Sequence, residues 1–159
     1  MNVRELLVEP TGFLVPASVL DGLSADDAER PASATMHSVA AVVAHMTFWQ
    51  EWFVERCHGR GGPPAASAAM GWPTVAPGTW SEVHDRFLRG LDAAVAVGAD
   101  ASRLDARVHP PIEFPSMADL TIHAALIHIA MHNAHHLGQV ITLRQVMGLW
   151  PPPGGGYTW

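Results

Sequence analysis

The sequence contains no lysine and a single cysteine among its 159 residues. Nine arginines are its only strongly basic side chains, and against 15 Asp and Glu residues they leave a formal net charge of -6. Because these arginines are scattered, no basic stripe exists to neutralise phosphates, and we expect no nucleic-acid partner. The single cysteine, Cys57, excludes an internal disulfide and a thiolate-based zinc cluster, and it fits a reducing compartment.

Long hydrophobic runs are also absent. No apolar run approaches the roughly 20 residues that a membrane-spanning helix needs, and the N-terminus, MNVRELLVEP, is too polar for a signal peptide. We therefore expect a cytoplasmic protein with no membrane partner. An apolar content of 48% in 159 residues is typical of a globular chain with a proper core. We predict one domain over residues 1–159.

The chain has no alternating strand pattern, and helical patterning occurs in four segments. The predicted helices cover about residues 3–21, 38–58, 80–97 and 117–147. Pro10, Gly12 and Pro16 make the first of these irregular or broken.

Polar residues at the segment starts are predicted to cap the other three helices. These residues are Ser38 for the second helix, Thr79 or Ser81 for the third, and Ser116 for the fourth.

The connectors are long and rich in proline and glycine. Between the second and third helices, GRGGPPAASAAMGWPTVAPG predicts a long surface loop, and a loop of this length usually has a function or is mobile. A Pro/Gly-rich tail covers residues 148–159. We predict an all-α fold in which four helices form one antiparallel bundle, not necessarily with up-down-up-down connections.

The fourth segment contains IHIAMHNAHHLGQV, with four histidines within nine residues. At about 100° per residue, His128, His132, His135 and His136 fall within one third of the helix circumference. The same sector contains five residues that are typical of a core-facing stripe: Ala125, Ile129, Gln139, Leu143 and Val146. We therefore predict that the four histidines point inward or into a cleft. Buried imidazoles need partners, and a divalent cation would satisfy several at once.

Two histidines three or four residues apart on a helix can bind one ion. Three pairs have such spacing: His128 with His132, His132 with His136, and His132 with His135. Spacing alone does not choose among them, although His132 belongs to all three. The alternative to a metal-binding pair is a helix with one functional histidine and three histidines that are close to it by chance.

A further ligand is expected from the second helix, where His45 is a lone polar residue on an apolar face. Alone, such a residue is more often a core histidine with a hydrogen-bond partner than a ligand, but a facing histidine pair favours ligation. We assign no role to the remaining histidines, which are His37, His58, His84, His109 and His123. Glu55 and His58 form the only Glu-x-x-His motif, which excludes a dinuclear carboxylate site.

The motifs HSVAAVVAH and HNAHHLGQVITLRQVMG, together with the connector LSADDAERP, resemble the DinB/YfiT-like superfamily of four-helix metal-binding proteins. The order of elements is similar over nearly the whole chain. The resemblance implies His45, His132 and His136 as the metal ligands. This sequence departs from the superfamily pattern at Leu137, where an arginine is common, and in having His128 and His135. Those two histidines could hydrogen-bond to the ligands or line the pocket.

Three neutral imidazoles leave open positions on a bound ion, as catalytic sites do. They favour a divalent transition metal, Zn or Ni with Fe as a third choice, over Mg or Ca. The resemblance implies activation of a low-molecular-weight thiol for transfer to an electrophile or for isomerisation, and it also implies a homodimer. The alternatives are a metal-dependent hydrolase and a non-enzymatic, metal-stabilised helical module that dimerises.

Two further residue types bear on the site. Gln139, one helical turn beyond His136, is predicted to orient a ligand or substrate by a hydrogen bond, although a buried amide that ties two helices together is about as plausible. Several tryptophans could wall an apolar pocket, but at these spacings they are more often core residues; they are Trp49, Trp52, Trp72, Trp80 and Trp150.

Overall fold

The computed structural model describes residues 2–9, 14–61, 68–112 and 114–155. Within them the chain forms six α-helices and no β-strand, so the all-α prediction is confirmed. The helices, in chain order, are α1 (Val3–Val8), α2 (Pro16–Leu20), α3 (Ala25–Glu29), α4 (Val39–Cys57), α5 (Trp80–Gly98) and α6 (Ile122–Val146). Among the described helices, none is long and apolar enough to cross a membrane.

The first predicted helix, residues 3–21, is two short helices. Asn2 caps α1 with a reciprocal capping box to Glu5, and α2 begins with Pro16 at its first position, where a missing N–H costs nothing. The predicted breakers Pro10 and Gly12 lie outside the described residues. The predicted break in this helix is observed, because α1 and α2 are separate helices.

The polar connector after α2 contains a helix that the sequence did not predict. Ser24 caps α3 by accepting a hydrogen bond from the Asp27 N–H. At the end of α3, the Glu29 carboxylate accepts hydrogen bonds from the backbone N–H groups of Gly78 and Trp80, at 2.7 and 2.9 Å. A carboxylate of α3 thus caps α5, while the predicted cap Thr79 donates its hydroxyl to the Ala76 carbonyl.

The three long helices form the centre of the molecule, with α4 packed against both α5 and α6, and α1 packed against α5 and α6. One buried polar chain links these three helices. The amide of Asn133 donates to Gln50 Oε1 at 2.9 Å, and Gln50 Nε2 donates to the Phe87 carbonyl at 3.0 Å. A Cβ atom at Gly90 would lie 2.1 Å from Gln50 Nε2, so the glycine makes room for this amide.

The fourth predicted helix, which is α6, begins five residues later than predicted. Ser116 lies in a short 3-10 helix, Pro115–Met117, and Thr121 caps α6 by accepting from the Ala124 N–H. Backbone hydrogen bonds fix this start, because the Ile122 N–H donates to the Ala106 carbonyl at 2.9 Å and Val108 donates to Leu120 at 3.0 Å. These backbone hydrogen bonds to the preceding connector keep the residues up to Leu120 out of α6.

The candidate metal centre

The second long helix, α4, holds His45 inside the protein. Its N-cap is Ser38, as predicted, and the hydroxyl accepts from the Ala41 N–H at 3.2 Å. His45 lies two turns further on and is 7% exposed. Its ring Nδ1 is 2.6 Å from the backbone carbonyl oxygen of Gly71, which lies at the end of a short 3-10 helix, Ala68–Gly71. The helix and the loop that follows it thus fix this imidazole together.

The last helix, α6, supplies His132 and His136 from successive turns of one face. Their Nε2 atoms are 3.1 Å apart. The imidazole of His45 faces both rings, with ring centroids 5.1 Å from His132 and 4.6 Å from His136. His132 and His136 lie close together because they are four residues apart on one helix. The packing of α4 on α6 brings the His45 ring to them.

The three imidazoles bring one nitrogen each to a common point. One ring nitrogen of each histidine lies within 4.8 Å of the other two. Nitrogen ligands about 2.0–2.1 Å from a tetrahedral ion are separated by about 3.3 Å, and the His132–His136 separation of 3.1 Å is close to this value. Within the described part of the chain, this is the one group of three or more ligating side chains that converges in this way. The donor set therefore fits one divalent transition-metal ion.

Carbonyl oxygens determine which nitrogen of two of these rings carries the proton. His45 Nδ1 faces the Gly71 carbonyl, and His136 Nδ1 lies 2.7 Å from Gln139 Oε1. Since a carbonyl oxygen only accepts, each Nδ1 must be the N–H donor, which places the ring lone pair of each histidine on Nε2. Metal-binding histidines usually donate their second ring N–H in this way. Two of the three imidazoles are thus in the tautomer that a metal needs.

Burial keeps the three imidazoles neutral. Loss of hydration is the largest cause that lowers the pKa of His45, His132 and His136, and neighbouring imidazoles lower it further. The effect is strongest at His132, whose pKa falls to about 3 because the ring is buried and, to a smaller extent, because four other histidines surround it. For His45 and His136, the hydrogen bonds to Gly71 and Gln139 partly oppose the shift. Neutral imidazoles bind metal without first losing a proton.

The remaining two histidines of the cluster lie outside this triad. His128 is half-buried, lies against Phe53 with ring centroids 4.8 Å apart, and stacks 6.4 Å from His132. Burial lowers the pKa of His128. His135 is exposed, and its Nε2 is 3.4 Å from the Gln139 amide nitrogen.

His135 is exposed and does not point inward, but it lines a surface cleft that also contains Gln139, so the prediction holds for His135 only in its cleft form. Gln139 and Val146, which were assigned to the core-facing stripe, are exposed as well. The buried face of α6 is centred on Asn133 and Val140, about 80–100° around the helix from His132. The histidine sector is thus the edge of the buried face.

Two residues of the site, Gly71 and His37, were not identified from the sequence, and Trp72 was named only as one of several tryptophans that could wall a pocket. Gly71 and Trp72 come from the long predicted loop, whose residues 62–67 lie outside the described part of the chain. The indole of Trp72 stacks on His45, with centroids 3.9 Å apart and planes 13° apart. His37, to which we assigned no role, stacks on the other face of the same indole at 4.0 Å. His37 is the first letter of the HSVAAVVAH motif, which is the one signal that could have singled it out.

Comparison with known proteins gives a match to a family model. A family model described as mycothiol-S-transferase matches residues 15–148, which include α2 to α6 and all three converging histidines. Neither the curated proteins nor the solved structures contain a match to this chain.

Proposed function

Because the chain belongs to the mycothiol S-transferase family, we propose that it transfers a low-molecular-weight thiol to a small electrophile at the three-histidine cluster. This family lies within the DinB/YfiT-like superfamily, so the superfamily predicted from the motifs is confirmed. The observation that supports the proposal most directly is the convergence of His45, His132 and His136 in a chain of a thiol-transferring family. Isomerisation through the same thiol is the variant of this chemistry that the superfamily resemblance adds.

In this proposal His45, His132 and His136 hold one divalent transition metal, Zn or Ni first and Fe third. When bound, such an ion lowers the pKa of a coordinated thiol and so supplies a thiolate at neutral pH. Gly71 and Gln139 hold the Nδ1 protons of two ligands, which keeps the opposite nitrogens aimed at the ion. We assign His128 and His135 to the walls of the approach to the site.

The transferred sulfur belongs to the co-substrate. The reaction breaks the S–H bond of the thiol, forms an S–C bond to the electrophile, and releases the proton to solvent, while any leaving group departs with its electron pair. The chain's own thiol, Cys57, is 1% exposed, and burial raises its pKa to about 11. At neutral pH it is therefore protonated and inaccessible, which excludes it as the nucleophile.

Several broader features belong to the same proposal. We place the protein in the cytoplasm as a single domain and a homodimer, with a small-molecule thiol and an electrophile as its partners and without nucleic acid. The long helices α4, α5 and α6 would form a four-helix bundle with α1 and α2 together in the fourth position, since α1 contacts α5 and α6 and α2 contacts α6.

Metal analysis tests the ligand assignment. Protein purified without a His-tag should contain about one transition metal ion per chain, and His45→Ala, His132→Ala and His136→Ala should each lose most of it. His123→Ala is the matched control, because His123 is an exposed histidine of the same helix outside the cluster. Unchanged metal content in all three site variants would contradict the assignment.

Activity tests the reaction class. The metal-loaded protein should conjugate a model electrophile to mycothiol, and the three site variants should lose this activity while His123→Ala keeps it. Turnover of ester or amide substrates without any thiol would favour the hydrolase alternative. Loss of the fold together with the metal, without thiol binding, would favour the metal-stabilised helical module.

A further inference from the structure

An aromatic stack of three rings lies beside the proposed metal centre. The indole of Trp72 is sandwiched between two imidazoles, with centroid distances of 4.0 Å to His37 and 3.9 Å to His45. Both imidazoles lie within 13° of the indole plane. The edge of the same stack faces His136, whose ring is nearly perpendicular to Trp72 at 6.1 Å. Trp72 therefore contacts one proposed ligand face to face and another edge-on.

The position of this indole is well determined by its neighbours in sequence. Gly71, immediately before it, is buried, and its carbonyl oxygen accepts a hydrogen bond from His45 Nδ1. Gly71 also packs against the indole of Trp49 so closely that a Cβ atom would lie 2.4 Å from Trp49 Nε1. Pro73, immediately after Trp72, restricts the backbone of the residue before it to extended conformations. The indole is thus presented to His45 by a short segment with little freedom.

We propose that Trp72 and His37 are positioning residues that clamp the His45 imidazole in the orientation needed for metal binding. This inference rests on the proposed function, because it takes His45 as a ligand. The carbonyl of Gly71 fixes the tautomer of His45, and the clamp fixes the plane of its ring. His37 supports the clamp from its outer side and does not touch His45.

Stacking on an indole favours the metal-bound form over the free form. Coordination withdraws electron density from an imidazole, and the face of an indole carries negative potential that attracts electron-poor groups. The indole also covers one face of His45 and so limits tilting of the ring. Loss of the clamp should therefore weaken metal binding more than it weakens the fold.

Binding of Co²⁺ to the metal-free protein tests the clamp. We expect Trp72→Leu to bind Co²⁺ about 10- to 100-fold more weakly than the wild type, as is typical when residues that support a metal ligand are replaced. Trp72→Phe keeps an aromatic face and should lose much less. Trp150→Leu is the matched control, since Trp150 lies over Arg144 and away from the histidines. Wild-type affinity in Trp72→Leu, or an equal loss in Trp72→Phe, would overturn the proposal.

His37 provides a second comparison. His37→Phe retains a flat ring against Trp72, whereas His37→Ala removes it. We expect a smaller loss of Co²⁺ affinity and a smaller change in the Co²⁺ absorption spectrum for His37→Phe than for His37→Ala. Equal behaviour of the two variants would show that stacking by His37 has no part in the clamp.

A measurement without metal separates this proposal from the proposed function. In the metal-free protein, the ring current of Trp72 should shift the ring-proton NMR signals of His45 upfield, and Trp72→Leu should remove this shift with the rest of the spectrum retained. An unshifted His45 in the wild type would refute the clamp. If the wild type shows the shift but binds no Co²⁺ at His132 and His136, the proposed function fails while the stack itself stands.

Discussion

Replacement of Gly71 by alanine should release His45 without touching any histidine. The backbone of Gly71 is not among the positive-φ glycines, so alanine can adopt its conformation and the effect must be steric. An added Cβ would lie 2.4, 2.8 and 2.9 Å from the Nε1, Cε2 and Cζ2 atoms of Trp49. Ordinary contacts require about 3.5–4.0 Å. The backbone or the Trp49 ring must therefore move by about 1 Å.

Where the Gly71 backbone moves, a displacement of that size is enough to break the hydrogen bond to His45. The Nδ1 to carbonyl distance is 2.6 Å, and beyond about 3.5 Å no hydrogen bond remains. A buried N–H left without an acceptor costs about 1–3 kcal/mol. We expect Gly71→Ala to lower metal affinity about 10- to 100-fold and to lower the melting temperature of the metal-free protein modestly.

The assay is a competitive Zn²⁺ titration against a chromogenic chelator, with melting curves of the metal-free protein. The double variant Gly71→Ala/Trp49→Leu provides the internal control, because removal of the indole should make room for the methyl group and restore affinity. Gly59→Ala would be unsuitable as a control, since Gly59 has a positive φ and would add backbone strain. Wild-type affinity in Gly71→Ala would refute the reasoning. Failure of the double variant to recover would show that the indole contact is not the cause.

Two further predictions concern titratable groups. The folded-state pKa values of His45, His132 and His136 lie below the usual 6.5, so the unfolded chain binds more protons, and the metal-free protein should lose stability as pH falls below 6.5. His132, with a pKa of about 3, should contribute a loss of about 1–2 kcal/mol between pH 7 and pH 5, and equal urea midpoints at the two pH values would contradict this. Because burial raises the pKa of Cys57 to about 11, about one thiol in a thousand is ionised at pH 8, and a disulfide reagent should modify Cys57 only in denaturant. Rapid modification of the native protein would disprove that its thiol is buried.

Local patterns in the sequence were sufficient for part of this picture. Ser38 precedes an apolar periodic segment, and it caps α4 because a hydroxyl at that position bonds to N–H groups three residues away. The spacing of His132 and His136 places both on one helix face wherever the helix packs. The motif resemblance then selected this pair and His45, and the three imidazoles converge in the structure. These features depend on neighbours within one or two helical turns, or on a motif shared with a known superfamily.

Features that depend on distant contacts could not be predicted in this way. Thr121, not Ser116, caps α6 because residues 106–108 form backbone hydrogen bonds with residues 120–122. The helix α6 is apolar on most of its circumference, so periodicity could not show that its buried face is centred on Asn133 and Val140 and leaves His135 in solvent.

The tertiary structure alone decided what surrounds His45. Gly71 and Trp72 lie 26 and 27 residues away along the chain, in a loop without periodic pattern, and His37 precedes the helix as an exposed residue. Sequence alone determined which imidazoles share a helix face, because backbone geometry dictates it. Only the packing of α4, α6 and the loop decided which groups hold His45, because each of those contacts joins residues that the chain brings together only when it folds.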